Sequence, residues 1–284
     1  METQEIRKVE EILQGRATSD GDGVKLTRLF GGQNLEKFDP FLMLDEFGSE
    51  QAQDYIGGFP SHPHRGFETV TYMVQGSMEH RDHMNNVGKL EPGDVQWMNA
   101  GSGVIHSEMP RQEQGAMRGF QLWLNLPSTE KMLPATYNDL KADNIPSYFF
   151  ENYKVHAIAG ELQGQDTKLS GAVSGLTTDP AYLDVQFHNA GNFKLEVPDG
   201  YTALVYVYEG AAKIASDDSL VVKGQLARLG RKGVLELWAE KNSKILLLTG
   251  KPIGESIVAH GPFVMNSVEE IQQAIRDYNE GTLV

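Results

Sequence analysis

Apolar and polar side chains along this chain come in short runs that suit extended backbone. GAMRGFQLWLNLP (115–127) places Phe120, Leu122, Leu124 and Leu126 on one face, and Pro127 stops the strand. ETVTYMVQG (68–76) reads as a strand ending at Gly76, and GKLEPGDVQWMNAGSGVIHSEM (88–109) as strand, Pro-Gly turn, strand, Gly-rich turn, strand. A second block repeats the pattern through VHAIAGEL (155–162), DVQFHN (184–189), NFKLEVP (192–198), YTALVYVYEG (201–210), QLARLG (225–230), LELWAE (235–240) and KILLLTG (244–250). Thirty glycines and twelve prolines punctuate these segments, and the whole predicts an all-β protein.

Helical spacing is clear near the C-terminus, over SVEEIQQAIRDYNEG (267–281). Ser267 and Glu270 form a capping-box pair, Val268, Ile271, Ile275 and Tyr278 an apolar stripe, and Gly281 a stop. The expectation is a helix docked on the second block. EIRKVEEILQ near the N-terminus fits either a strand or a short helix. The polar stretch from Ser128 to Phe149, with Pro134 and Pro146, separates the blocks, so two domains are expected over 1–135 and 136–284. NFKLEVPDGYTALVYVYEG in the second block matches PHRGFETVTYMVQG in the first in shape, which suggests a duplicated domain.

Charge and composition then narrow the functions. The formal net charge is −14, from 25 Lys and Arg against 39 Asp and Glu, and no basic run offsets it, which argues against a nucleic-acid surface. Cysteine is absent, so any metal must be held by His, Asp or Glu. No apolar run is long enough to span a bilayer, and the charged N-terminus lacks an apolar leader core, so a cytoplasmic protein is expected.

The candidate chemistry lies in the histidines. SHPHRGFETV (61–70) sets His62 and His64 on one face of an extended segment, and Pro63 favours that conformation. HSEM, 44 residues on, sets His106 and Glu108 at the same spacing. Three imidazoles and a carboxylate suit a divalent first-row metal with open positions. The competing reading is a buried polar network, costly unless every member is paired. Glu68 can ligate, orient a histidine from outside the metal shell, or pair with Arg65; the outer role is preferred, and Asp82 is a weaker candidate of the same kind. His80 and His83 fit an exposed hairpin or the surroundings of the site, while His156, His188 and His260 read as isolated.

These motifs, with DPFLMLDEF (39–47) and HGPFVMNSVEEI (260–271), resemble the pirin family of the cupin superfamily. The resemblance implies a bicupin: two antiparallel, jelly-roll-like β-barrel domains face to face, with a C-terminal helix. It implies metal in the N-terminal domain alone, held by His62, His64, His106 and Glu108, with Glu68 outside the ligand set. Phe193 and Leu195 stand in the second domain where a ligating pair would sit. The implied metal is one Fe(II) per chain, with Ni, Mn, Co, Cu or Zn as substitutes. The implied activity is quercetin 2,3-dioxygenase chemistry on a small aromatic substrate with O2, releasing carbon monoxide, with Glu108 as the base. Phe47, Phe59, Met73, Trp97 and Phe120 are candidates to line the pocket. The alternative is a regulatory, iron-dependent redox sensor that binds a transcription factor or metabolic enzyme. A cupin sugar-phosphate isomerase would need a basic pocket, for which only Arg65 and Arg118 are at hand.

Overall fold

The computed structural model describes residues 5–165, 167–216 and 218–284. The chain forms two compact units, each built on two larger antiparallel sheets with an apolar core, and one of them also carries a two-stranded sheet of Val258–His260 and Phe263–Met265. One unit holds Arg16–Ala142 and Ile253–Val284; the other holds the segment ending at Gly15 and Asp143–Pro252. Two consecutive domains over 1–135 and 136–284 therefore differ from these units at both ends. The N-terminal segment folds as a strand, Val9–Gln14, paired with Gln225–Leu229, so it completes the sheet of the later unit. The last 32 residues return to the earlier one.

In the earlier unit, a seven-stranded sheet runs in the order Thr136–Leu140, Val95–Asn99, Phe67–Gln75, Met117–Asn125, Phe41–Ser49, Val24–Phe30, Arg16–Asp20. A four-stranded sheet runs Phe59–His64, Val104–Pro110, Met78–Asp82, Val87–Leu90. The later unit repeats the plan with a seven-stranded and a six-stranded sheet, which fits the duplication read from the sequence. Its core includes Phe193 and Leu195, both fully buried among apolar side chains.

The one α-helix among the described residues, Val268–Glu280, carries the expected caps: Ser267 accepts from the Glu270 N–H, Glu270 caps in return, and Gly281 takes φ +73°. Its docking differs from the expectation, because Ile271 and Ala274 pack with Phe263, Met265 and Leu283 in the earlier unit. Val268 and Tyr278 are exposed, so the buried stripe is narrower than the spacing suggested. Arg65 anchors this segment: Nη1 donates to Asp277 Oδ2 at 2.6 Å, and Nε donates to the Ser102 carbonyl. Lys131 Nζ, buried, donates to the carbonyls of Gly66 and Val264 and to Asn125 Oδ1. Gly66 permits the close approach, since a Cβ there would lie 2.1 Å from the Val264 carbonyl oxygen. No helix among the described residues is long and apolar enough to cross a membrane.

Candidate metal centre

Antiparallel pairing between Phe59–His64 and Val104–Pro110 sets His106 directly opposite His62 and Val104 opposite His64. Strand alternation then turns all three imidazoles to one side. Ring centroids lie 4.7 Å apart for His62 and His64, 4.3 Å for His62 and His106, and 4.9 Å for His64 and His106. One nitrogen from each falls within 4.8 Å of the others, a set able to hold one metal ion. Among the described residues, no other group collects three such donors.

The nitrogens fit that role. His62 Nδ1 lies 2.8 Å from the Pro60 carbonyl, so it carries the proton and leaves Nε2 as an acceptor. His106 Nε2 and His64 Nδ1 are buried without a hydrogen-bond partner. Burial pushes His64 well below the usual imidazole range, and the neighbouring His62 adds to this, against an opposing hydrogen bond with the Pro262 backbone. Burial also lowers His106, with His64, His62 and His80 adding to the shift. On His64 and His106, bare nitrogens buried in neutral imidazoles are costly in a purely polar network and suited to a metal.

Glu108 stands slightly apart. The strand pairing slips between His106 and Glu108, which puts Glu108 opposite Phe59. The extra residue lies at Pro60–Ser61, where proline has no N–H for the ladder. The Glu108 carboxylate is not in the 4.8 Å set but lines the same cavity. Thr71 Oγ1 lies 3.0 Å from Glu108 Oε1 and 2.6 Å from Gln121 Oε1. A hydroxyl has one proton, so the consistent assignment turns the Gln121 amide to donate to Thr71, which donates to Glu108. Oε2 of Glu108 has no hydrogen-bond partner among the described residues.

The cavity has a volume of about 890 Å³. Its apolar wall includes Leu35, Leu42, Met43, Phe59, Trp123 and Val264. Of the five aromatic and apolar candidates named from the sequence, Phe59 lines it. Phe47 and Met73 instead pack with Val24, Leu26, Tyr55 and Met78 in the core. Trp97 and Phe120 pair with Val70 and Tyr72 on the sheet face opposite to the one carrying Thr71 and Gln121. The strand Met117–Asn125 thus presents Gln121 and Trp123 to the site. Trp123 packs edge-on against His64, with centroids 5.4 Å apart. His260, read as isolated, lines the cavity too, as does Arg28, which grips Asp45 through two hydrogen bonds of 2.9 and 2.7 Å. Arg65 and Arg118 do not line it; Arg118 pairs with Glu46 at 2.6 Å. His83 Nδ1 accepts from the Ile105 N–H, His156 meets Ser147 Oγ, and His188 meets the Glu151 carbonyl.

Glu68 faces away from the cavity, on the side of Val70 and Trp97, and does not pair with Arg65. Asn99 Nδ2 donates to it at 3.3 Å. Burial pushes its carboxyl up to about 7, against opposing contacts from Trp97 and Asn99. The folded protein therefore keeps a proton that the unfolded chain releases above about pH 4.5. This contribution favours the fold at low pH and is lost as pH rises through 7. Glu68→Gln is expected to gain about 2–3 kcal/mol over wild type between pH 5 and pH 8, read by urea unfolding. Parallel pH profiles for the two proteins would refute the assignment.

The comparisons with known proteins agree with this architecture. Residues 23–124 match the family model described as pirin, and residues 182–284 match the pirin C-terminal cupin domain. The chain belongs to the pirin family. A Pseudomonas aeruginosa relative, provisionally named a quercetin 2,3-dioxygenase, is 50% identical over 98% of both chains. A crystal structure of quercetin 2,3-dioxygenase from Acinetobacter baumannii matches with a TM-score of 0.89 at 35% identity, over 98% of this chain and 99% of that one. The bacterial pirin YhhW of Escherichia coli, crystallised in complex with nickel(II), shares the fold at 18% identity and a TM-score of 0.64, over 85% of this chain and 98% of that one. As a pirin-family chain, this protein consists of two cupin-like domains, and its three-histidine group lies in the N-terminal one.

Proposed function

We propose that this pirin-family protein is a mononuclear metal-dependent dioxygenase that opens flavonols such as quercetin with O2. His62, His64, His106 and Glu108 hold the metal, taken to be Fe(II). The observation that carries the reading is the cluster of His62, His64 and His106, with bare buried nitrogens on His64 and His106, beside a cavity that His62, His64 and Glu108 line. When bound, the metal supplies Lewis-acid polarisation of a substrate oxygen and open coordination positions.

The chain's own residues do the rest. Phe59 and Trp123 offer flat apolar surfaces to an aromatic substrate and exclude water. Glu108 takes the proton of the flavonol 3-hydroxyl at its unpartnered oxygen. Thr71 holds the other oxygen, so the carboxylate stays aimed while the proton transfers. Leu35, Leu42 and Met43 complete the apolar wall.

Elemental analysis of purified protein, followed by aerobic assay with a flavonol panel, tests this reading. The expected result is one transition metal per chain, with O2 uptake and carbon monoxide release on quercetin. Protein that takes up no metal after reconstitution with Fe(II) would defeat the proposal. So would metal-loaded protein that consumes no O2 with the panel while an established enzyme does so in parallel.

A further inference from the structure

Behind His106 runs a second line of buried polar groups. His106 Nδ1 lies 3.3 Å from His80 Nδ1, and His80 Nε2 lies 3.4 Å from Asp82 Oδ2. His80 and His106 are essentially inaccessible to solvent, and so is the Asp82 side chain. Strand pairing fixes the arrangement, since Val104–Pro110 and Met78–Asp82 set His106 opposite Asp82 and Glu108 opposite His80. Tyr137 stacks on the His80 ring at 4.6 Å with planes 25° apart, which holds its orientation.

The proton positions follow from the far end. Asp82 Oδ1 accepts from the backbone N–H groups of Met84 and Asn86, and Oδ2 accepts from Asn86 Nδ2. Every other partner of the Asp82 carboxylate is thus a donor, and a carboxylate only accepts, so His80 donates through Nε2–H. A neutral His80 then presents a bare Nδ1, which only an Nδ1–H on His106 can satisfy. That leaves His106 Nε2 as a lone pair, and Nε2 is the buried nitrogen that has no partner.

We propose that Asp82 and His80 are positioning residues that lock His106 in the tautomer whose Nε2 is free to bind a metal ion. The proposal rests on reading His62, His64 and His106 as metal ligands. Asp82→Asn discriminates well. The two backbone N–H donors cannot change, so the new amide oxygen must face them and its NH2 must face His80. His80 then carries its proton on Nδ1, His106 can no longer keep one there, and the proton moves to Nε2, where the metal would sit. His80→Phe keeps the ring stacked on Tyr137 and removes the acceptor for His106.

The experiment has two readouts. Two-bond ¹⁵N–¹H correlation spectra of the metal-free protein record histidine tautomers, and Zn(II) competition against a chromophoric chelator records affinity. Wild type is expected to show Nδ1–H on His106 and Nε2–H on His80. Asp82→Asn should invert both and weaken Zn(II) binding about 10–100-fold. His80→Phe should weaken it by a similar factor, and it carries the test if Asp82→Asn does not fold. A wild-type proton on His106 Nε2, or unchanged Zn(II) affinity in the folded variants, overturns the proposal. Wild type with the expected tautomers that takes up no Zn(II) overturns the metal-ligand reading instead, a result distinct from either.

Discussion

His62→Ala is expected to lower metal affinity by about 100-fold or more while leaving the metal-free fold intact. Structural metal sites with four ligands release about 10–16 kcal/mol, so one ligand accounts for roughly 3 kcal/mol, or about two powers of ten. The fold is spared because His62 is half-exposed and its hydrogen bond, to the Pro60 carbonyl, is local. His64 and His106 are poorer choices, since both are buried and their loss leaves cavities. Glu108→Gln separates binding from chemistry. The amide keeps the volume and an oxygen for Thr71 but cannot take a proton from a substrate hydroxyl at neutral pH. The expected result is a variant that retains metal at reduced affinity and loses flavonol turnover. Chelator competition on the two variants, with O2 uptake on Glu108→Gln, checks both points. Undiminished metal binding in His62→Ala would place the metal elsewhere.

The three-histidine group was legible because it depends on one local rule. Residues two apart on a strand share a face, and HPH and HSE each obey it. The slip beside Pro60, which sets Glu108 opposite Phe59, was not legible, nor was the place of Glu108 outside the 4.8 Å set. Pocket walls were harder still. The apolar parity of FQLWLN drew attention to Phe120, yet both faces of that strand are largely covered, and the cavity takes the more polar one, with Gln121 and Trp123. Hydrophobicity marks burial without saying against what. Arg28 and His260 are separated by 232 residues, and only tertiary structure brings them to one cavity. The same holds for the termini: the chain's ends cross between units, and the alternation of VEEILQ gives no sign of which sheet it will join. His80 was read as a surface or surrounding residue. Its spacing to Asp82 was visible, but its contact with His106 is made across strands.

Arg7→Met is expected to destabilise the protein by about 3–5 kcal/mol, comparable to leaving one side of a buried ionic contact unpaired. Arg7 is fully buried, and its guanidinium uses all five donors. Nε donates to the Gly233 carbonyl, Nη1 to Tyr201 and Gly230, and Nη2 to Val197 and Pro198, at 2.7 to 3.1 Å. One side chain thus binds two turns of its unit to the N-terminal segment, whose backbone also joins Val234 through the Arg7 N–H. Burial lowers the guanidinium pKa, and Asp199 opposes it, but arginine remains charged. Methionine fills much of the volume and satisfies none of the five carbonyls. Water can reach those that are only partly buried, which keeps the loss below the sum of five unmade hydrogen bonds. Arg7→Lys supplies at most three donors without the planar fork, so its loss should fall between wild type and Arg7→Met. Urea unfolding of the three proteins at one pH checks the order. A loss below about 1 kcal/mol for Arg7→Met would mean that solvent satisfies the turn carbonyls and that the cation is not what fastens the N-terminal strand.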